Sequence, residues 1–402
     1  MSTSIPSPYI TERTVQLERY RSFAMGIFES YGTFLLIILV RHFHGSGVDK
    51  SIVAAAGNSG LLLTPGLLFL SRRLGLSSPK TLSLLLACSS ILFFIASSVS
   101  SAAVFVTLVA LGVLLPATAS PLLTSILNNN YPPHKRGQLY AQNQAIRIAT
   151  SILFGGLAGW FISGAIELYW VLIIVFGGAL AWASYTFSQI PGDNESASPT
   201  SLFSCFRYLA TDSLLRNTTI SWMLLGFGNL MMLPLRVEYL ANPRYGLNLS
   251  ELQIALFVSI LPNVARLGGT RVWGRLFDSM NFFTLRMVLN LSFLTGIISF
   301  FLTDAPIALG ISALIFGFST SGGDVAWTLW VTKFAPADKV ADYMTVHTFF
   351  TGIRGLLAPF TAFTLLGVLS IQSLSVISAG LILTATLLLF SIREGAKKRT
   401  PQ

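Results

Sequence analysis

Residues 81–99 read TLSLLLACSSILFFIASSV, a run without a single charged side chain. A helix that crosses the apolar core of a bilayer needs about 20 predominantly apolar residues. The surface helix of a soluble protein instead confines its apolar residues to one stripe. This stretch is apolar on every face and has the length of a span, so it predicts a transmembrane helix.

Eleven other stretches of the chain share this character. Together the twelve run roughly 22–41, 51–71, 80–100, 102–127, 138–161, 168–188, 217–237, 250–270, 284–302, 306–331, 341–368 and 371–391. The strands of a membrane barrel would be shorter and would alternate apolar with polar residues. The sequence therefore predicts an all-α integral membrane protein with twelve transmembrane helices.

The composition agrees with a chain that is solvated by lipid. Of the 402 residues, 53% are hydrophobic and 10% are charged, whereas a soluble domain carries about 25% charged residues. The net charge is +10, but most of the basic residues fall in segments on one side of the predicted spans. The outer loops and outer helix ends hold only Arg41, Lys50, Arg236 and Arg244. This bias indicates cytosolic termini, not a nucleic-acid partner.

Sequence features of enzymes and of secreted proteins are missing. Cys88 and Cys205 are the two cysteines, and neither a disulfide framework nor a metal-ligand spacing follows from them. The N-terminus has acidic residues and no short apolar core, so it is not a signal peptide. We find no phosphate-binding loop and no zinc motif. We therefore expect no cofactor, no metal and no enzymatic activity.

A polar stretch divides the chain into two halves of six spans. Gln189–Thr200 reads QIPGDNESASPT, a composition typical of a loop. The following SLFSCFRYLATDSLLR has helical apolar spacing and predicts an amphipathic helix on the cytosolic surface. The predicted domains are an N-terminal six-helix bundle (1–188), a linker (189–216) and a C-terminal six-helix bundle (217–402).

The two halves repeat one motif. NYPPHKRGQLY (130–140) follows the fourth span, and KFAPADKVADY (333–343) follows the tenth. The pairs Pro133 and Pro336, Arg136 and Lys339, and Tyr140 and Tyr343 align at equal spacing. A repeat of this length predicts two pseudo-symmetric bundles, an arrangement known from transporters.

With these features the sequence resembles the major facilitator superfamily, and residues 322–360 resemble a bacterial subgroup without an assigned substrate. Gly274-Arg-Leu-Phe-Asp278 looks like the cytosolic gate motif of that family. The loop after the second span keeps Gly66 but lacks the aspartate of the motif. The resemblance implies a substrate cavity, a gate that includes Gly274 and Asp278, and a bacterial inner-membrane location. It also implies a monomer in contact with membrane lipids. Arg266 lies near the cytosolic end of the eighth span, so we expect it to pair with an acid of the gate, with substrate contact as the alternative.

Ionisable residues within spans are costly and by default mark functional positions. Here they are Glu29, Arg147, Arg266, Asp324, His347 and Arg354. Glu29 and Arg147 lie at similar depth, so we expect an ion pair. Asp324 could pair with Arg354 or hydrogen-bond to His347. For each set, a structural pair that stabilises its bundle is the alternative to a functional role.

Asp324 is the strongest candidate for substrate contact. Trp327 lies one helical turn away on the same face, and an indole beside an acid suits a cation, a sugar or a drug-like ring. Gly322 and Gly323 should loosen the helix at this point. As the alternative, Trp327 only packs against neighbouring helices. Glu29, Arg147, Asp324, Trp327, His347 and Arg354 are the predicted substrate-binding or proton-binding residues.

The sequence thus favours a secondary active transporter that moves a small solute by alternating access, with protons as the expected coupling ion. An uncoupled facilitator and a multidrug-type efflux antiporter are the alternatives. A membrane-embedded enzyme or a lipid-handling protein has less support. The signs of the embedded charges are mixed, so sugars, organic anions and amphipathic cations all stay open as substrates.

Overall fold

Helices form all the regular structure in the part of the chain that the computed structural model describes, residues 7–132, 135–192, 206–333 and 340–397. The α-helices are α1 (Pro8–Glu29), α2 (Tyr31–Arg41), α3 (Gly47–Arg73), α4 (Ser78–Ala96), α5 (Ala102–Thr118), α6 (Ser120–Asn130), α7 (Arg136–Ile162), α8 (Tyr169–Ser188), α9 (Arg207–Thr211), α10 (Ser213–Ala241), α11 (Glu251–Ala255), α12 (Leu261–Ser279), α13 (Phe282–Phe301), α14 (Pro306–Leu329), α15 (Val340–Leu365) and α16 (Ile371–Lys397). The predicted all-α membrane fold is confirmed.

Ten helical stretches of the described residues are long and apolar enough to cross a bilayer. The helices α3 and α15 lie at the second and eleventh predicted spans. With 27 and 26 residues they are also long enough to cross. Polar residues such as Asn58 in α3 and Arg354 in α15 lower their mean hydropathy. Helices therefore occupy every position at which the sequence predicted a span.

Three of the predicted spans are interrupted helices. The first breaks at Ser30, between α1 and α2, and the fourth breaks at Ala119, between α5 and α6. The eighth contains one π-helical turn, Leu256–Ile260, between α11 and α12. Such turns leave the regular hydrogen-bond ladder and often occur near functional sites.

Polar side chains cap several helix ends, as the sequence pattern of these ends favours. The Asp212 carboxylate accepts hydrogen bonds from the amides of Leu214 and Leu215, and this fixes the start of α10. Ser250 and Gln253 form a reciprocal capping box at α11. The expected surface helix 201–216 is interrupted in its described part. The helix α9 ends at Thr211, and Asp212 then caps the start of α10.

The chain divides into two compact units, residues 1–45 with 56–199, and residues 46–55 with 200–402. In the first unit α4 packs against α5 and α8, while α1 packs against α7 and α8. Phe28 lies at the centre of this packing, with ring contacts to Phe93 and Phe176. Ser46–Ala55, which includes the first residues of α3, belongs to the second unit.

In the second unit α12 packs against α14, while α10 packs against α15 and α16. Gly322 permits the close packing of α14 against α12, because a Cβ atom at this position would lie 2.6 Å from the Trp273 indole of α12. The helix α14 continues through Gly322 and Gly323. Gly322 is a packing position in this structure, and bending at Gly322 and Gly323 during transport stays a prediction.

Some sequence predictions fall outside the described residues. They concern Cys205, most of the linker, and Pro133, Pro336 and Lys339 of the repeated motif. The repeat partners Arg136 and Tyr343 are described, and Tyr343 donates a 2.7 Å hydrogen bond to the Asp212 carboxylate.

Candidate functional site

The first unit contains the expected contact between Glu29 and Arg147. Glu29 is the last residue of α1, at the break before α2, and Arg147 lies in the middle of α7. Arg147 Nε is 3.0 Å from Glu29 Oε2, and both side chains are about a quarter exposed. These two atoms do not meet hydrogen-bond geometry, so we interpret the pair as an ionic contact. A carboxylate with this access can exchange its partner for a proton or a solute.

A second ion pair of the first unit was not predicted. Arg21 Nε and Nη2 donate to the two oxygens of Glu18 at 2.7 and 2.8 Å, and both residues are buried. The first span was predicted to begin near residue 22, whereas α1 already begins at Pro8. The neighbouring Tyr131 accepts a hydrogen bond from Asn143. Burial, and secondarily the Glu18 charge, raises the pKa of Tyr131.

In the second unit Asp324 pairs with Arg266. Arg266 Nε lies 2.7 Å from Asp324 Oδ2 and donates a hydrogen bond to it, which joins α12 to α14. The arginine side chain is 12% exposed, but the aspartate side chain is 51% exposed. The protein therefore encloses the Asp324 carboxylate only in part, whereas it encloses the Arg266 side chain almost completely.

The expected pairing of Asp324 with Arg354 or His347 is wrong. Arg354 donates instead to the Trp222 carbonyl, and its guanidinium lies 5.9 Å from the Trp222 ring centroid. Arg266 lies on α12, and α12 packs directly against α14, which carries Asp324. The Arg266 side chain can therefore reach the Asp324 carboxylate. The partner was sought on the wrong helix because sequence spacing does not report helix neighbours.

His347 and Arg354 belong to a buried cluster at the centre of α10, α13, α14 and α15. His347 is 1% exposed, and its ring centroid lies 4.9 Å from that of Trp222, 5.0 Å from Trp330 and 5.8 Å from Trp327. The Arg286 guanidinium covers the Trp222 ring at 3.6 Å. The structure thus brings three of the predicted site residues, Trp327, His347 and Arg354, into one cluster.

Gly226 determines how closely Arg354 approaches α10. A Cβ atom at Gly226 would overlap the guanidinium of Arg354. Because an interposed side chain would displace the arginine, the glycine is a structural requirement of the cluster.

The predicted gate residues at the end of α12 lie apart from these clusters. Asp278 is exposed, and within the described residues it forms no hydrogen bond or ion pair. Gly274 has open space where a Cβ atom would lie. Arg266, the third predicted gate residue, has the acidic partner that was expected for it, and this partner is Asp324.

The second unit contains a further ion pair, between the start of α3 and α10, that the sequence did not reveal. Lys50 Nζ lies 2.7 Å from Glu238 Oε2, with side chains 10% and 2% exposed. Asn242 donates to the other oxygen of Glu238 at 2.8 Å, and Arg244 lies 3.6 Å from it. The sequence placed Lys50 among the basic residues of the outer loops and outer helix ends, and it did not predict that Lys50 is buried against Glu238.

Arg286 had a sequence signal that was overlooked. Arg286 lies inside the predicted ninth span, 284–302, but it was predicted to be one of the basic residues on the cytosolic side. Arg236 at the end of the seventh span is similar. It is buried and lies 3.8 Å from the Phe316 ring centroid. No group of three or more potential metal-ligating acidic, histidine or cysteine side chains occurs in the described ranges.

Comparison with known proteins agrees with this architecture. The sequence profile of the Major Facilitator Superfamily matches residues 21–359. The chain belongs to the Major Facilitator Superfamily. It is accordingly a membrane transporter and not an enzyme. A search of curated proteins found no match to the sequence.

Solved structures of Major Facilitator Superfamily transporters share the fold. A mutant of the nucleoside transporter NupG superposes with a TM-score of 0.75 and 12% identity, over 94% of this chain and 99% of that protein. A D-xylose-proton symporter gives a TM-score of 0.68 and 15% identity, over 94% and 96%. The xylose transporter XylE from E. coli gives 0.67 and 17%, over 96% and 98%. At these identities the likeness concerns the fold alone.

Proposed function

We propose that this transporter moves a small solute by alternating access and couples that movement to protons. One observation carries the proposal: the Asp324 carboxylate is half exposed, although it lies in a membrane span and is held by Arg266. Ionisable groups in such positions are expensive, and they typically mark solute pathways and proton relays. The pair Glu29–Arg147, with side chains about a quarter exposed, is a second such pair in the first unit.

The chemistry follows from competition for the carboxylate. While Asp324 is ionised, Arg266 holds it through a charge-assisted hydrogen bond. Protonation of Asp324 removes the attraction and frees the guanidinium for another acceptor, such as a solute oxygen. The same exchange applies to Glu29 and Arg147. Binding of a solute and binding of a proton are thereby linked at one pair of residues.

The substrate class in this proposal is a small polar solute. Similar folds transport a nucleoside and D-xylose, the latter with a proton. Asp324 lies close in sequence to Trp327, an aromatic side chain against which a sugar or base ring could stack. We place the gate at Arg266, Gly274 and Asp278, the termini in the cytosol and the protein in the bacterial inner membrane as a monomer.

Reconstitution into liposomes tests the coupling. A panel of radiolabelled sugars, nucleosides and organic acids is first screened by counterflow, which requires a binding carrier and not an open pore. For the solute that is transported, we expect inward movement to alkalinise the medium, measured with a pH-sensitive dye. Transport without proton movement would instead identify an uncoupled facilitator. Extrusion of hydrophobic dyes against a proton gradient would identify a multidrug-type antiporter.

Labelling of single cysteines tests the topology. A cysteine placed in the segment 193–200 should react only with reagents that reach the cytosol. Reaction from the outside alone would reverse the proposed orientation.

A further inference from the structure

The second unit buries two arginines in one cluster without a protein carboxylate beside them. Arg286 is 1% exposed and Arg354 is 7% exposed. Among the described residues no carboxylate lies within ion-pair distance of either guanidinium. In the first unit, by contrast, the buried Arg21 has a bidentate partner in Glu18.

Arginine cannot avoid its charge by releasing a proton. Both guanidinium groups lie near one indole ring, with their carbon atoms 3.6 and 5.9 Å from the Trp222 centroid. The ring faces supply cation–π attraction, which is smaller than the desolvation penalty of two like charges. The Trp222 carbonyl, which accepts a hydrogen bond from Arg354, offsets part of this penalty. A negative group between the two guanidinium groups would compensate both charges at once.

Hydrogen-bonding groups of the cluster indicate the chemistry of that negative group. Arg286 Nη2, Arg354 Nε and Trp222 Nε1 are buried and have no acceptor in the structure, and His347 Nε2 also has no partner. The arginine and tryptophan atoms can only donate. The group that satisfies them must accept several hydrogen bonds at once, as a carboxylate or phosphate does with arginine forks.

We propose that the cluster of Trp222, Arg286, His347 and Arg354 binds a small oxyanion group, a carboxylate or a phosphate. The group belongs either to a free ion or to the transported solute. Trp327 is partly exposed and its ring lies 5.8 Å from His347, so we place the access route beside it. The half-exposed Asp324 lies one turn before Trp327 on α14.

Thermal unfolding of the detergent-purified protein tests this site without any transport measurement. Sodium phosphate and sodium acetate are titrated against sodium chloride at constant ionic strength and pH. We expect a saturable rise in melting temperature with phosphate or acetate. Arg286→Gln and Arg354→Gln should each weaken the apparent affinity at least about thirtyfold, because each removes one partner of a buried charge pair.

Arg236→Gln is the matched control. Arg236 is also buried, lacks partners for two guanidinium nitrogens and lies against an aromatic ring, but it belongs to a different part of the unit. This variant should keep the affinity of the wild type. If Arg286→Gln does not fold, Arg286→Lys keeps the charge, loses the planar fork, and should still bind more weakly. Tryptophan fluorescence of the wild type offers an independent titration, and Trp222→Phe should reduce its amplitude.

The two sources of the oxyanion give different results. Saturable stabilisation by phosphate or acetate assigns a free ion. Stabilisation only by organic acids or sugar phosphates from a solute panel, again lost in Arg354→Gln, assigns a group on the solute. Equal effects of chloride and the oxyanions would overturn the proposal, and so would unchanged affinity in the Arg286 and Arg354 variants.

A carboxylate of the protein itself is the competing explanation. Asp338 lies outside the described residues, close in sequence to α15. The proposal fails if three results occur together: Asp338→Asn destabilises the protein, the added Arg286→Gln substitution restores its stability, and no oxyanion binds. Failure here leaves the proposed proton coupling intact, because that rests on Asp324 and is measured in liposomes.

Discussion

The ammonium group of Lys50 lies 2.7 Å from a carboxylate oxygen of Glu238, and both residues are buried. The pair fixes the N-terminal end of α3 to α10. Ser51 reinforces the attachment, because its hydroxyl donates to the Pro359 carbonyl of α15 at 3.3 Å. The first residues of α3 are therefore tied to helices of the second unit, while the rest of α3 belongs to the first.

This pair predicts an asymmetric response to mutation. Glu238→Gln leaves Lys50 buried without its counter-charge, and such a change costs about 3–5 kcal/mol. Lys50→Met should cost less, because Asn242 and Arg244 still contact the Glu238 carboxylate. Melting temperatures of the purified variants measure the difference. As the control, Arg244→Gln removes a half-exposed partner and should cost less than about 1 kcal/mol.

Equal destabilisation by Glu238→Gln and Lys50→Met would contradict this order. It would show that the pair acts as an isolated unit and that Asn242 and Arg244 contribute nothing.

Glu29→Gln should separate a proton-carrying role from a structural one. The substitution keeps the shape of the side chain and removes its charge. If Glu29 carries the coupling proton, the variant should still bind solute and exchange it in counterflow, but it should lose proton-driven accumulation. Because the side chains of Glu29 and Arg147 are both about a quarter exposed, we expect only a small fall in melting temperature. Uptake across a pH gradient and thermal unfolding together provide the measurement.

Glu167→Gln is the control in the same unit. Glu167 is an exposed acid that lies 3.1 Å from His42 near the end of α2, away from Arg147. Full retention of gradient-driven accumulation in Glu29→Gln would exclude Glu29 as the proton carrier.

The sequence predicted the spans because lipid imposes a simple rule on length and polarity. The stretch 81–99 became α4 (Ser78–Ala96) with a shift of three residues at each end. The Glu29–Arg147 contact was also predictable, since both residues lie at similar depth in one half. Depth along a helix is a one-dimensional quantity that can be counted from the sequence.

Partners that depend on which helices are neighbours could not be predicted in this way. Asp324 was assigned to Arg354 because both lie in spans of the second half, but the packing of α12 on α14 gives it Arg266. No partner was predicted for Glu18 or Lys50, because each lies outside an apolar block. Burial of a charged residue beyond the end of such a block depends on tertiary packing, which a hydropathy pattern does not contain.

Gly226→Ala should disrupt the buried arginine cluster without changing any of its charges. The added methyl group would overlap the Arg354 guanidinium, which already donates to the Trp222 carbonyl. The arginine must move, and overpacking of this kind typically costs about 1–3 kcal/mol. Gly380→Ala is the control, since a Cβ atom there meets open space in the middle of α16. It should be neutral or stabilising by up to about 1 kcal/mol. A melting temperature of Gly226→Ala as high as that of Gly380→Ala would contradict the observed packing.

Asp324→Asn should abolish transport or reduce it at least about tenfold while the protein folds nearly normally. The reason is the exposure of the carboxylate: at 51% its pairing with Arg266 is screened by solvent, and we expect a stability change within about 1 kcal/mol. Initial uptake rates in liposomes and melting temperatures in detergent measure the two quantities. Asp304→Asn is the control, because Asp304 is an exposed acid of the same unit in the loop before α14.

A purely structural role of the pair makes a different prediction. In that case Asp324→Asn would leave Arg266, whose side chain is only 12% exposed, without its counter-charge, and the loss of activity would follow from a loss of stability. The double variant Asp324→Asn/Arg266→Gln removes both charges and should then recover stability and transport together. If Asp324 contacts the solute or carries the proton, the double variant folds but stays inactive, because the carboxylate itself is required. An active double variant would therefore reject the functional role of Asp324 and reduce the pair to a link between α12 and α14.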